Sequence, residues 1–101
     1  MINQLVKPNS FGKKSYFIDL EKVYKISIDE DDKGNLIVKN YRRGIFKDKL
    51  LYSFTHNSDW STLIPLAMEK LRNYTNSNEK QYFTDGYWKN MIEKCLQYQP
   101  K

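Results

Sequence analysis

Cysteine occurs once in the 101 residues, at Cys95, so the chain cannot close a disulfide on itself. Small secreted domains usually depend on a disulfide framework, and its absence leads us to expect an intracellular, cytoplasmic protein. Long apolar runs are also missing. The first fifteen residues hold only Ile2 and the pair Leu5–Val6, interrupted by Lys7–Pro8, which is too little for a secretory apolar region. No run approaches the ~20 residues that span a bilayer, so no membrane partner is expected. Asn73-Tyr74-Thr75 matches a glycosylation acceptor, which has no consequence without secretion. Histidine occurs once, at His56, and no Ser, Asp or Cys is spaced to make it a catalytic base. A dyad with Cys95 is conceivable, but a free cysteine is usually a packed core residue.

Two near-motifs fail on their own spacing. Asp29-Glu30-Asp31-Asp32-Lys33-Gly34 crowds carboxylates before a glycine as a calcium loop does, yet Lys33 stands at the third ligand and Asn40 where the bidentate Glu belongs. The run reads as a solvated hairpin tip. Gly12-Lys13-Lys14-Ser15 ends like a phosphate loop, but Lys7 occupies the place of its first glycine and no strand precedes it. No catalytic residue, metal or cofactor is expected, and the protein is expected not to be an enzyme.

What is present is enough for a core: 40% hydrophobic and 15% aromatic residues, with 29% charged residues and a net charge of +5. The sequence pI is about 9.3 and the mean hydropathy −0.78. A second core would leave each half too small to bury enough surface, so one domain is expected. The charge is polarised: Lys39, Arg42, Arg43, Lys47 and Lys49 face only Asp48 in their segment, just after the acidic run at 29–32.

Residues 1–14 show no periodicity and contain Pro8, Asn9, Ser10 and Gly12, so they read as an N-terminal arm able to add a short edge strand. Residues 15–101 read as a single α+β domain. From Ser15 the pattern alternates: Tyr16, Ile18 and Leu20, then Tyr24, Ile26 and Ile28, each separated by polar or outward positions. Asp31-Asp32-Lys33-Gly34-Asn35 is turn chemistry and joins 23–28 to 36–41 in a hairpin, with Gly34 at positive φ. A further turn within 42–49 leads to a fourth strand, 50–54.

After Thr55 the period becomes helical. Trp60, Leu63, Ile64, Ala67, Met68, Leu71 and Tyr74 form one stripe, and Trp88, Met91, Ile92, Cys95 and Leu96 a second. Pro65 lacks an N–H, so a cap at Ser61 or Thr62 would place it harmlessly in the first turn, whereas an earlier cap puts it inside the helix. The second helix is capped by Thr84 or Asp85 and stopped by Pro100. The expected architecture is a four-stranded, mainly antiparallel sheet followed by two amphipathic helices, near 61–74 and 85–98, packed on one face. Trp60, Leu63, Met68, Trp88, Ile92 and Cys95 are expected in the core.

The open sheet face then carries Lys25, Ser27, Ile37, Lys39, Tyr41, Arg43, Lys49, Leu51 and Ser53. Lys and Arg bind phosphates, and unpaired bases stack on exposed rings or guanidinium planes. Lys25, Lys39, Tyr41, Arg42, Arg43 and Lys49 are therefore the candidate site for weak, non-specific binding of single-stranded nucleic acid. The plain alternative is a solvated strand and turn in which Tyr41 serves β-propensity. The other functional class is a protein-interaction module, an inhibitor of a host protein or a virion component. It would act through the open face or by forming a homodimer, with Ile37 and Leu51 as its exposed apolar residues.

Two resemblances bear on these readings. Ser58-Asp59-Trp60-Ser61-Thr62-Leu63-Ile64-Pro65-Leu66 resembles the Ser-Trp-x-x-Leu-Met-Pro signature of small proteins of Bacteroidetes genomes and their phages, with Asp59 where that signature has its serine. That resemblance implies a phage or mobile-element setting and no mechanism. The order of four strands and a helix, with Lys33-Gly34 in a hairpin, Tyr41-Arg42-Arg43 on a strand and Trp60 opening the helix, is similar to the positive-cofactor-four and Whirly-like single-stranded-DNA binders. It implies a nucleic-acid partner. This chain differs in having a second helix and no extended basic hairpin.

Overall fold

A computed structural model of the chain describes residues 5–8, 15–57 and 59–98. The chain divides into two compact units, Met1–Ser58 and Asp59–Lys101, the first built of strands and the second of helices. The fold class is α+β, an antiparallel sheet followed by two helices.

The sheet has five strands where the periodicity gave four: β1 (Val6–Pro8), β2 (Ser15–Leu20), β3 (Tyr24–Glu30), β4 (Leu36–Arg42) and β5 (Lys49–His56). They lie in sequence order, each antiparallel to the next. The additional strand falls in the segment read as an arm. It sits on the edge, with Val6 opposite Ile18 and Lys7 opposite Phe17. Three residues are too few to show a period of two, so only their pairing with β2 defines them as a strand.

Alternation does the rest. Tyr16, Ile18, Leu20, Tyr24, Ile26, Ile28, Leu36 and Val38 are all buried, joined by Val6 and by one polar residue, Asn40. Each fully buried aliphatic or aromatic side chain contributes about 1.5–3 kcal/mol, so this row dominates the sheet unit's stability.

The two inner turns are built differently. In the β3–β4 turn Gly34 has φ +84°, as the turn chemistry required. The Asp31 carboxylate accepts the N–H of Lys33 and of Asn35, both at 2.9 Å. The β2–β3 turn is Glu21-Lys22-Val23, with Glu21 and Lys22 both left-handed (φ 57° and 58°) and the Val23 N–H donating to the Leu20 carbonyl at 3.0 Å. Such a turn favours Asn and Gly, and two ordinary L-residues there hold strain of roughly 1–2 kcal/mol each.

In the second unit, α1 spans Trp60–Arg72 and α2 spans Asp85–Gln97. The first helix starts earlier than expected, because Asp59 is its cap. Its carboxylate accepts the Ser61 N–H and both the Ser61 and Thr62 hydroxyls. Those hydroxyl bonds, that of Thr62 first, hold the Asp59 carboxyl below its ordinary range. Pro65 consequently lies inside α1 and not in its first turn. The missing donor leaves the carbonyl of exposed Ser61 to solvent, which is why the position tolerates proline. Thr84 caps α2 by accepting the Tyr87 N–H at 3.2 Å.

Leu63, Met68, Trp88 and Cys95 are buried as expected, while Trp60 and Ile92 are only half-buried. Trp60 opens its helix, and its indole N–H donates to the Cys95 carbonyl at 3.0 Å, which holds the ring at the unit's border. Phe83, just after a stretch read as polar loop, is buried and packs on Tyr87 and Trp88 at ring separations of 5.0 and 5.6 Å.

Candidate nucleic-acid interface

Residues opposite one another in a sheet share a face, so the strand register decides which candidate side chains stand together. Lys25 lies opposite Tyr41, and Ser27 opposite Lys39, so these four occupy the open face as expected. The pairing of β2 adds Phe17 and Asp19 to that face, opposite Ser27 and Lys25. Extending the alternation to β2 would have found both.

Two of the six candidates do not belong there. Arg42 lies opposite Tyr24 on the buried side, where its guanidinium donates to the Tyr24 hydroxyl at 3.0 Å and sits 5.4 Å from the ring centroid. Lys49 pairs with Arg42 and shares its side. The cause is a β-bulge: Asn40 faces Tyr52 but Tyr41 faces Leu50, leaving Leu51 without an opposite residue. One extra residue inverts the faces of everything before it on the strand, so Leu50 and Lys49 exchange the sides that simple alternation gave them.

Two of the remaining cations, Lys25 and Arg43, are also occupied. The Lys25 ammonium pairs with Asp48 at 2.7 Å and lies 4.9 Å from the Tyr41 centroid, covering one side of that ring. Arg43 pairs with Asp19. By contrast Lys22, Lys39, Lys47 and Lys49 have no carboxylate partner among the described residues. Three of these four, Lys22, Lys47 and Lys49, lie in the β4–β5 loop, at its end or in the β2–β3 turn.

That loop, residues 43–48, holds the feature the periodicity did not single out. Ile45 is 95% exposed and Phe46 98%, with Leu50 behind them at 50%. The loop is nonetheless pinned. The Asp48 carboxylate accepts the Gly44 N–H at 3.3 Å and holds the Lys25 ammonium, and these two contacts, Lys25 first, keep its carboxyl below the ordinary range. Gly44 is required at its place, since a Cβ there would overlap the Lys47 carbonyl oxygen. Burying Ile45 and Phe46 would gain roughly 3–6 kcal/mol, a sizeable fraction of a small domain's 5–15 kcal/mol. Two adjacent bulky apolar side chains are thus displayed on an anchored loop.

Beside the tip lies an open cleft of about 530 Å³, lined by Lys22, Arg43, Gly44 and Ile45. The strained β2–β3 turn supplies Lys22 to it. Another cleft, about 440 Å³, lies in the helical unit between Arg72, Lys80 and Thr84, but its arginine is already met by Asp85.

No protein-family model, curated protein or solved structure matches the chain. The functional reading therefore rests on the chemistry of the loop and its surroundings.

Among the described residues no three His, Cys, Asp or Glu side chains are grouped to hold a metal ion. Burial pushes the Cys95 thiol up to about 12, so at neutral pH it is protonated and a poor nucleophile. His56 Nδ1 lies 2.7 Å from the Asn57 carbonyl, its own neighbour in the chain. The phosphate-loop reading of Gly12-Lys13-Lys14 lies outside the described residues. Ile37 and Leu51, the apolar candidates for protein contact, are half-buried, and Ile45 and Phe46 take their place as the exposed pair.

Proposed function

We propose that this is a small non-enzymatic binding protein that holds single-stranded nucleic acid, weakly and without sequence preference, at the β4–β5 end of its sheet. The observation that carries the reading is the separation of charges. Lys25 and Arg43 are matched by carboxylates, while Lys22, Lys47 and Lys49 surround the loop unmatched, with Lys39 and Tyr41 extending the surface along the open face. An excess of unmatched lysines is what counterion release needs, and it discriminates little between sequences.

The test is fluorescence anisotropy of a labelled oligonucleotide at ~50 and ~200 mM salt. Each neutralised phosphate contributes about 0.7 to the slope on a single strand, so three or four lysine contacts give a slope of roughly −2 to −3. Lys47→Gln and Lys49→Gln should each reduce it by about 0.7. Absence of binding at the lower salt refutes the reading. The second reading, a protein-interaction module, is favoured by the exposure of Ile45, Phe46 and Leu50. A concentration-dependent dimer in sedimentation that Phe46→Ala dissolves would select it.

A further inference from the structure

Charge accounts for affinity but not for the loop's apolar tip, and the cleft beside it explains why the two occur together. Resting on the nucleic-acid reading above, we infer that Phe46 and Ile45 form a wedge on which an unpaired base stacks, while the adjoining phosphate sits in the cleft between Lys22 and Arg43.

A base has two apolar faces and hangs from an anionic backbone, so its receptor needs an exposed ring next to a cationic recess. Phe46 offers the ring almost wholly to solvent, and Ile45 both lines the recess and stands beside Phe46 in the chain. Arg43 uses one of its donors on Asp19 and keeps others for a phosphate oxygen. The Lys22 ammonium has no partner among the described residues. The wedge is held ready before binding, because Asp48 ties the loop to Gly44 and Lys25. A ring already fixed in place loses little freedom when a base lands on it.

The left-handed turn belongs to the same device. Glu21 and Lys22 keep a backbone conformation that Asn-Gly would adopt without strain, and a strained residue lining a cleft suggests function. Here the strained residue is the lysine that completes the recess.

An anionic bilayer is the less suitable occupant. Exposed Glu21 is the immediate neighbour of Lys22, and Asp19 lies under Arg43. A strand touching the cleft at one phosphate avoids these carboxylates, whereas a continuous negative surface meets them together with the lysines.

The experiment compares a thymidine oligonucleotide with an abasic backbone of equal length, on the intact chain and on Phe46→Ala, Phe46→Leu and Lys22→Gly. Stacking predicts that the protein prefers the thymidine oligomer by about 5- to 150-fold. Phe46→Ala should abolish that preference without changing the salt slope, and Phe46→Leu should restore little of it. Lys22→Gly should lower the slope by about 0.7 while raising the melting temperature, a combination that a merely structural role for Lys22 would not produce. Phe46 is too exposed for its loss to unfold the chain, and circular dichroism checks this.

Equal binding of the two oligomers, with Phe46→Ala indistinguishable from the parent, overturns the wedge and leaves the charge-based reading standing. Binding of neither overturns both. Tighter binding to phosphatidylserine vesicles than to the oligonucleotide, released by Phe46→Ala, would give the tip to a lipid surface and overturn the proposal.

Discussion

In the β3–β4 connection, Asp31 keeps its carboxylate for its own turn: it accepts the Lys33 and Asn35 N–H groups, and Gly34 supplies the left-handed residue. The β4–β5 connection also relies on one carboxylate, but Asp48 reaches back to Gly44 and outward to Lys25 on another strand. The first loop is polar at its tip. The second is polar at its base and apolar at its tip, with Ile45 and Phe46 outside. A hairpin that satisfies its backbone locally has a tip with nothing further to do, whereas one anchored from its base can present side chains that folding alone would have buried.

The largest expected effect breaks the comparison at the two glycines. Gly34→Ala meets open space, so its cost is the left-handed backbone alone, on the order of 1 kcal/mol. Gly44→Ala drives a methyl into the Lys47 carbonyl oxygen and should cost about 2–3 kcal/mol, because the loop must change shape to accept it. Urea denaturation of both variants measures the difference. Equal costs would mean that the β4–β5 loop yields freely and is not anchored.

A smaller effect of opposite sign is expected at the third connection. Replacing Glu21-Lys22 by Asn-Gly fits the left-handed turn and should stabilise the chain by about 1 kcal/mol, read as a rise in the denaturation midpoint. An unchanged or lower midpoint would show that the two residues are not strained there.

The three connections also show how far the residues themselves can be read. The Asp31–Asn35 turn was legible because its determinants are local and type-specific, and the strands around it because Ile26, Ile28, Leu36 and Val38 alternate without interruption. The turn at Glu21-Lys22 carries no such mark, since glutamate and lysine rarely adopt that conformation and only the pairing of β2 with β3 imposes it. The bulge was hidden for a similar reason. Leu50, Leu51 and Tyr52 fit either register, and it is the pairing with Tyr41 that moves Lys49 off the open face. The start of α1 was placed late because Pro65 favoured a cap at Ser61 or Thr62, whereas the Asp59 carboxylate satisfies more donors than the proline removes. Of the candidate site, the cations were legible as a cluster. The neutralisation of Lys25 and Arg43 by Asp48 and Asp19, and the exposure of Ile45 and Phe46, depend on which strands become neighbours.

The finest expected effect is a pH dependence confined to the anchored loop. Asp48 has its carboxyl held below the ordinary range by the Lys25 ammonium first and the Gly44 N–H second. A carboxyl whose folded pKa lies below its unfolded value stabilises the fold fully above the unfolded value, about 3.9, and loses that contribution as pH falls through the folded one. The anchor should therefore hold through neutral and mildly acidic pH and release only in stronger acid. The Gly44 amide reports this directly in nuclear magnetic resonance, because its N–H donates to the titrating oxygen. Its shift should move with a midpoint below the ordinary carboxylate value, and Asp48→Asn should abolish that movement. A Gly44 titration at or above the ordinary value would mean that Lys25 does not hold Asp48 in solution. The loop would then lose its anchor, and Phe46 its fixed position.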